Sequence, residues 1–291
     1  MSLGIDVGGT KIAYGEVANG RILWKNTIAT PQSKNELIAT LTKIIDTYSG
    51  KEIGIGIPGQ IKNGYVIFTP NIPLSDTPLS EILLKKTGKR ISVENDANAF
   101  LIAEYRWGAV SSYDSAIGIT LGTGIGGAIM IEGKLWSGAH GAGAELGHMA
   151  LIEDGPLCGC GSRGCFEAIA SPRSIEKWVK EQIKNGFPSQ KTLYSLKEII
   201  ECRNKEPICT MAYERFVRFL GMGVANLVNI LDPDIVVFGG SGVLSWEKWK
   251  DDAYAIFNRR ILPSLKGKVK WVKARFLADS GIIGAAATAS P

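Results

Sequence analysis

The first apolar run, Leu3-Gly4-Ile5-Asp6-Val7, is broken by one carboxylate and predicts a buried strand. Gly8-Gly9-Thr10-Lys11 follows, then the apolar run at 12–17, so strand, glycine turn and strand predict a hairpin. Between residues 33 and 48, Leu37, Leu41, Ile44 and Ile45 recur at helical spacing and predict an amphipathic helix. Residues 52–57 read as a short apolar strand ended by Pro58-Gly59. A second helix is expected over 79–87 and a strand at 91–93. Asn95-Asp96 then opens an alanine-rich helix reaching about Trp107.

Near Ser115 the opening pattern returns. Residues 116–121 form an apolar run, Gly122-Thr123-Gly124-Ile125-Gly126-Gly127 a glycine turn, and 128–131 a second run. Laid over the first unit, Thr120 takes the place of Asp6. This predicts an internal duplication of one α/β domain. A loop-rich stretch at 138–171 follows, then helical patterns at 174–185 and 208–231. A strand at 235–238 ends in Gly239-Gly240-Ser241-Gly242. The expected domains are 1–112, completed by 280–291, and 113–279. No low-complexity linker divides them, so a shared interface with an interdomain cleft is expected.

Composition narrows the function classes. A chain of 291 residues with 45% hydrophobic and 21% charged residues suits two folded domains and excludes general disorder. The net charge of +5 helps an anionic small molecule approach and is too small to argue for nucleic acid. The lysines from 266 to 273 alternate with apolar residues, as in an edge strand protected from pairing. No apolar run nears the ~18 residues of a membrane span, and Asp6 interrupts any signal-peptide core. The expected compartment is cytoplasmic. Five cysteines, an odd number, argue against a disulfide framework.

The 35 glycines cluster, which points to loops where backbone approaches something closely. Residues 122–127 satisfy GxGxxG, but a dinucleotide fingerprint needs a helix directly after the loop, and 128–135 are β-like. Two glycine hairpin turns remain. Either both are structural, or both expose N–H groups and a hydroxyl to a phosphate; two matching turns, one with Asp6 and Lys11, favour the phosphate. Asp6, at a strand end, could hold Mg²⁺ through water.

Asp96 has two readings, a helix N-cap and a general base kept ionised by the helix start. His148, Cys158, Cys160 and Cys165 lie within 18 residues and have the composition of a closed, structural Zn²⁺ site. Buried apolar thiols are the alternative. Cys202 and Cys209 are expected to be plain thiols.

These motifs give a specific resemblance. DVGGTK at 6–11 and LGTGIGG at 121–127 resemble the two phosphate motifs of the actin-like ATPase superfamily (RNase H-like domains), and GGSG at 239–242 its adenosine contact. ENDAN at 94–98, ELGH at 145–148 and CGCGSRGCFE at 158–167 are similar to the ROK family (repressors, open reading frames and kinases), with its glucokinases as the nearest type. The resemblance implies ATP binding by Asp6, Gly8, Gly9, Thr10, Lys11, Gly122, Thr123, Gly124, Gly126, Gly239 and Gly240. It implies Asp96 as the base and Asn95, Asp96, Glu145, His148 and Glu167 as sugar ligands. It also implies structural zinc on His148, Cys158, Cys160 and Cys165. Glucose is the first expected hexose; N-acetylmannosamine, fructose, mannose and allose are alternatives, because Pro70-Asn71-Ile72-Pro73 departs from the usual Gly-Trp. A sugar sensor without turnover is the other class. No nucleic acid or membrane partner is expected, and relatives suggest a homodimer or homotetramer.

Overall fold

A computed structural model describes residues 1–289, so the last two residues of the expected closing segment 280–291 lie outside the described residues. The chain divides into two compact units. One comprises Met1–Asp114, Ala128–Ala144 and the chain from Ala274; the other comprises Ser115–Gly127 and Glu145–Lys273.

The first unit contains β1 (Ser2–Val7), β2 (Lys11–Ala18), β3 (Arg21–Ala29), α1 (Lys34–Asp46), β4 (Ile53–Ile57), β5 (Gln60–Lys62), β6 (Tyr65–Phe68), α2 (Leu79–Thr87), β7 (Ile91–Asn95) and α3 (Asp96–Trp107). Its sheet runs β3-β2-β1-β4-β7, with the hairpin strands antiparallel and β4 and β7 parallel to β1 and to each other. Period-two alternation gives β1 two different faces. Leu3, Ile5 and Val7 are fully buried in a cluster with Leu37, Leu41 and Ile45 of α1. Ser33 caps α1, and the left-handed Gly88 (φ 68°) ends α2.

The rest of the chain supplies β8 (Ala116–Leu121), β9 (Ile125–Ile131), β10 (Lys134–Leu135), α4 (Phe166–Ala170), α5 (Pro172–Lys184), α6 (Leu196–Cys202), α7 (Pro207–Leu231), β11 (Ile235–Gly239), α8 (Trp246–Arg260) and β12 (Lys270–Lys273). The second sheet runs β10-β9-β8-β11-β12. Numbered from each opening strand, both sheets have the order 3-2-1-4-5, the topological signature of a duplication. The lysine-flanked β12 is an edge strand, parallel to β11. Phe238, Trp246, Trp249 and Trp271 pack edge-on or tilted against one another beside it.

The last helix, α9 (Ser280–Thr288), belongs to the first unit and lies on the other face of β1. A Cβ at Gly4 would stand 2.0 Å from Ile282 O, and one at Gly54 1.8 Å from Ala285 O. Glycine at both strand positions permits this close approach.

One expectation is overturned. Cys202 and Cys209 are disulfide-bonded, not plain thiols. The turn between α6 and α7 folds back and brings their Cα atoms to 5.7 Å. The parity argument missed this because three cysteines belong to the 158–165 cluster, leaving an even pair.

Candidate functional site

The first glycine turn is closed by its own backbone: Gly8 N–H donates to Lys11 O at 2.9 Å. Thr30, at the end of β3, holds the turn from outside, its hydroxyl donating to Gly8 O (2.6 Å) and its N–H to Thr10 O (3.1 Å). Thr10 and Lys11 are exposed. A Cβ at Gly9 would come within 3.2 Å of the Asn71 side chain, so the atypical 70–73 segment lies against this turn.

Asp6 stands beside the turn, paired across the sheet with Ala13 and Gly56. Burial, then the charge of Asp96, push its pKa up to about 6, while Lys11 pulls it down. The fold therefore brings Asp6 and Asp96 within electrostatic reach. A Cβ at Gly281, in the first turn of α9, would lie 2.1 Å from Asp6 Oδ2, so α9 confines this carboxylate. No sequence motif singled out Gly281.

At the start of α3 the capping role belongs to Asn95. Its Oδ1 accepts from the N–H groups of Ala97 (2.9 Å) and Asn98 (3.1 Å), and its Nδ2 donates to Gly59 O (2.9 Å). Asp96, read from sequence as a possible N-cap, is instead the first helical residue, because the chain is already helical there. Its carboxylate accepts from Ala97 N at 2.9 Å. Asp96 is solvent-accessible yet densely surrounded by protein, and desolvation raises its pKa while the backbone N–H groups lower it. Glu94, also missed from sequence, accepts from Asn95 N (2.9 Å) and Asn98 Nδ2 (3.0 Å) and braces the same helix start.

In the second unit, Gly122 N–H donates to Gly124 O at 3.0 Å, and Thr123 at the tip is exposed. Ile125 N–H donates to Glu167 Oε2 at 2.9 Å. A Cβ at Gly124 would stand 2.0 Å from that same oxygen. The 239–242 turn packs on the end of β8: a Cβ at Gly240 (φ 81°) would meet Leu121 O at 2.3 Å. Trp249 Nε1 donates to Gly242 O at 3.0 Å and fixes that turn.

Glu145 and His148 flank a single 3-10 turn and are both exposed, with Glu145 Oε2 3.8 Å from His148 Nε2. The other ring nitrogen, Nδ1, faces Cys158 Sγ at 3.6 Å. Cys160 Sγ and Cys165 Sγ are 3.7 Å apart, and the four ligand atoms all lie within 4.8 Å of one another. Tetrahedral bonds of about 2.3 Å to sulfur and 2.0–2.1 Å to nitrogen require S···S near 3.8 Å and N···S near 3.6 Å. The four residues thus fit zinc. Burial pushes the Cys165 thiol up to about 12 and raises that of Cys158, whereas the Ser162 backbone N–H lowers that of the exposed Cys160.

The first unit therefore gathers Asp6, Gly8, Gly9, Thr10, Lys11, Asn95 and Asp96. The second gathers Gly122, Thr123, Gly124, Gly126, Glu145, His148, Glu167, the three cysteines, Gly239 and Gly240. Chemically, these are two glycine turns with backbone N–H groups, a carboxylate at a helix start, and two acids beside a thiol–imidazole cluster. Among the described residues no helix is long and apolar enough to cross a membrane.

Comparison with known proteins identifies relatives over nearly the whole chain. A glucokinase from Thermotoga maritima is 36% identical, covering 98% of this chain and 95% of its own length. An N-acetyl-D-glucosamine kinase from Yersinia pseudotuberculosis is 32% identical, covering 98% of both chains. A crystal structure of a ROK family glucokinase from Streptomyces griseus, in complex with glucose and AMPPNP, is 33% identical. It superposes with a TM-score of 0.81, covering 99% of this chain and 98% of that one. The ROK family model matches residues 2–291, and the chain belongs to the ROK family, within the actin-like ATPase superfamily.

Proposed function

We propose that this protein is an ATP-dependent hexose kinase of the glucokinase type, transferring the γ-phosphoryl group to the terminal hydroxymethyl of glucose. The observation that carries this reading is Asp96: a carboxylate at a helix start, accessible to solvent, with its capping duty taken by Asn95. It is thereby available to accept the proton of an attacking hydroxyl. ATP phosphates would be held by the N–H groups of residues 8–11 and 122–126, with adenosine at Gly239 and Gly240. Mg²⁺, held near Asp6 when bound, would neutralise phosphate charge. Asn95, Glu145, His148 and Glu167 would orient the sugar through its hydroxyls.

Zinc on His148, Cys158, Cys160 and Cys165 is part of the same proposal. Four protein ligands leave no open position, so its role would be to order the 145–167 segment. Reading the chain as two duplicated domains is supported by the shared strand order. The boundaries expected from sequence at 112 and 280 differ from the compact units, which break at Asp114 and Ala274 and count Ala128–Ala144 with the first. A homodimer or homotetramer rests on the resemblance, and a cytoplasmic location on the absence of an apolar span or signal-peptide core in the sequence.

A second sugar deserves a test. The Yersinia relative is named for N-acetyl-D-glucosamine, and Asn71 of the atypical 70–73 segment packs on the first phosphate turn. The experiment is kcat/KM by coupled ADP detection across glucose, mannose, fructose, allose, N-acetylmannosamine and N-acetylglucosamine. Glucose should rank first; a higher value for either N-acetyl sugar would transfer the assignment to it. Sugar binding with no ADP formation on any of these sugars would favour the non-catalytic sensor.

A further inference from the structure

We propose that Glu167 couples the sugar site to the second phosphate turn, one carboxylate oxygen anchoring the turn while the other serves the sugar. The inference rests on the kinase reading and adds a connection between its two substrates. Glu167 Oε2 accepts from Ile125 N–H, inside the turn, at 2.9 Å. Gly124 lies directly against that oxygen, where a Cβ would stand 2.0 Å away. The carbonyl side of Ile125 is closely approached as well: a Cβ at Gly147, between Glu145 and His148, would lie 2.1 Å from Ile125 O. Ile125 is thus bonded on one side and closely packed on the other by segments that also present the proposed sugar ligands.

The backbone of Glu167 has little freedom to absorb a displacement. Its carbonyl accepts from Ser174 Oγ (2.8 Å) and Ser171 N (3.1 Å), and its neighbour Phe166 is fully buried. Oε1 faces the Cys158 thiol at 4.0 Å, a long contact that leaves acceptor capacity for a hydroxyl. A sugar that fixes this carboxylate also fixes the Ile125 N–H, so the turn meets ATP already ordered. Linkage makes the effect mutual: sugar tightens nucleotide by the same factor as nucleotide tightens sugar.

The test is AMPPNP affinity by calorimetry, with and without saturating glucose, in wild type, Glu167→Ala and Glu167→Gln, alongside melting curves. Glucose should tighten AMPPNP binding to the wild type by about fivefold or more. Glu167→Ala should bind AMPPNP about tenfold more weakly without sugar, as expected for losing a hydrogen bond to a charged group, and show no coupling. Glu167→Gln retains an amide oxygen for Ile125 N–H, so its sugar-free affinity should stay within about twofold of wild type. A purely structural role would weaken both variants in step with their melting temperatures and would overturn the proposal. Wild-type AMPPNP affinity in Glu167→Ala would also overturn it. If that variant does not fold, Glu167→Asp, which keeps the charge but withdraws the carboxylate from Ile125 N–H by one methylene, should show the same loss; unchanged AMPPNP affinity there would count equally against it. Wild-type glucose affinity in both Glu167 variants would instead remove Glu167 from the sugar site and end the coupling, while sugar-free AMPPNP affinity would still report on the anchor.

Discussion

The two glycine turns begin from matching strands and differ in where their charge comes from. In the first, Asp6 and Lys11 flank the turn in sequence, and Asp6 is confined by Gly281 of α9. In the second, the strand position equivalent to Asp6 is Thr120, and no charged residue lies between 120 and 127. Its carboxylate is borrowed from Glu167 on α4, which reaches Ile125 N–H. Each carboxylate rests against a glycine that has no room for a Cβ, Gly281 in one unit and Gly124 in the other. The strand order is the same in both sheets while the charges sit differently: the first turn carries its own acid, and the second takes one from α4.

The comparison predicts that charge loss in the first unit hurts most. Asp96→Asn should lower kcat by about 10²–10⁴, the usual value of a general base, while glucose binding measured by calorimetry persists. Retained turnover would break the contrast.

Asp6→Asn should abolish Mg²⁺-dependent turnover yet stabilise the protein. Asp6 has a folded pKa of about 6 against an ordinary 3.8. The folded chain therefore retains a proton that the unfolded chain has released. The Asp6 contribution to stability is greatest below about pH 4, declines as pH rises to about 6 and is level above it. The full difference is about 3 kcal/mol at ~1.36 kcal/mol per pKa unit. Denaturant melts in chelator should show this decline in wild type and lose it in Asp6→Asn. A less stable variant at pH 7 would contradict the assignment.

In the second unit the expected losses are architectural. Cys160→Ala should lower metal content, melting temperature and glucose affinity together, because the 145–167 segment has little core of its own. Zinc-free protein that melts and binds glucose like the loaded form would remove the metal from the account. The smallest effect belongs to the Cys202–Cys209 bridge. Cys209→Ser, read in the reduced and oxidised protein, should cost about 2 kcal/mol of stability for a loop this short, with kcat/KM unchanged.

Much of this was legible in the sequence where one face is buried and the other wet. α1 announced itself by Leu37, Leu41, Ile44 and Ile45, and α2 was expected over 79–87, where it is found. β3 gave no signal because every residue from Arg21 to Ala29 is exposed or half-buried, so no buried face marks an alternation. α8 hides its buried stripe, Trp246, Trp249, Ala253 and Phe257, among charged residues. At the site, residue types and motif order named the participants. Contacts such as Gly281 on Asp6 or Ile125 on Glu167 join residues remote in the chain, and no local pattern encodes them.

Phosphoryl transfer from ATP to a hexose hydroxymethyl, with Asp96 as base, can be followed by ³¹P NMR of reactions containing ATP, Mg²⁺ and glucose, run with wild type and Asp96→Asn. The expected product is a phosphomonoester on the terminal hydroxymethyl of glucose, formed together with ADP by wild type and almost absent with the variant. Inorganic phosphate as the sole product, or equal phosphomonoester from both proteins, would contradict it.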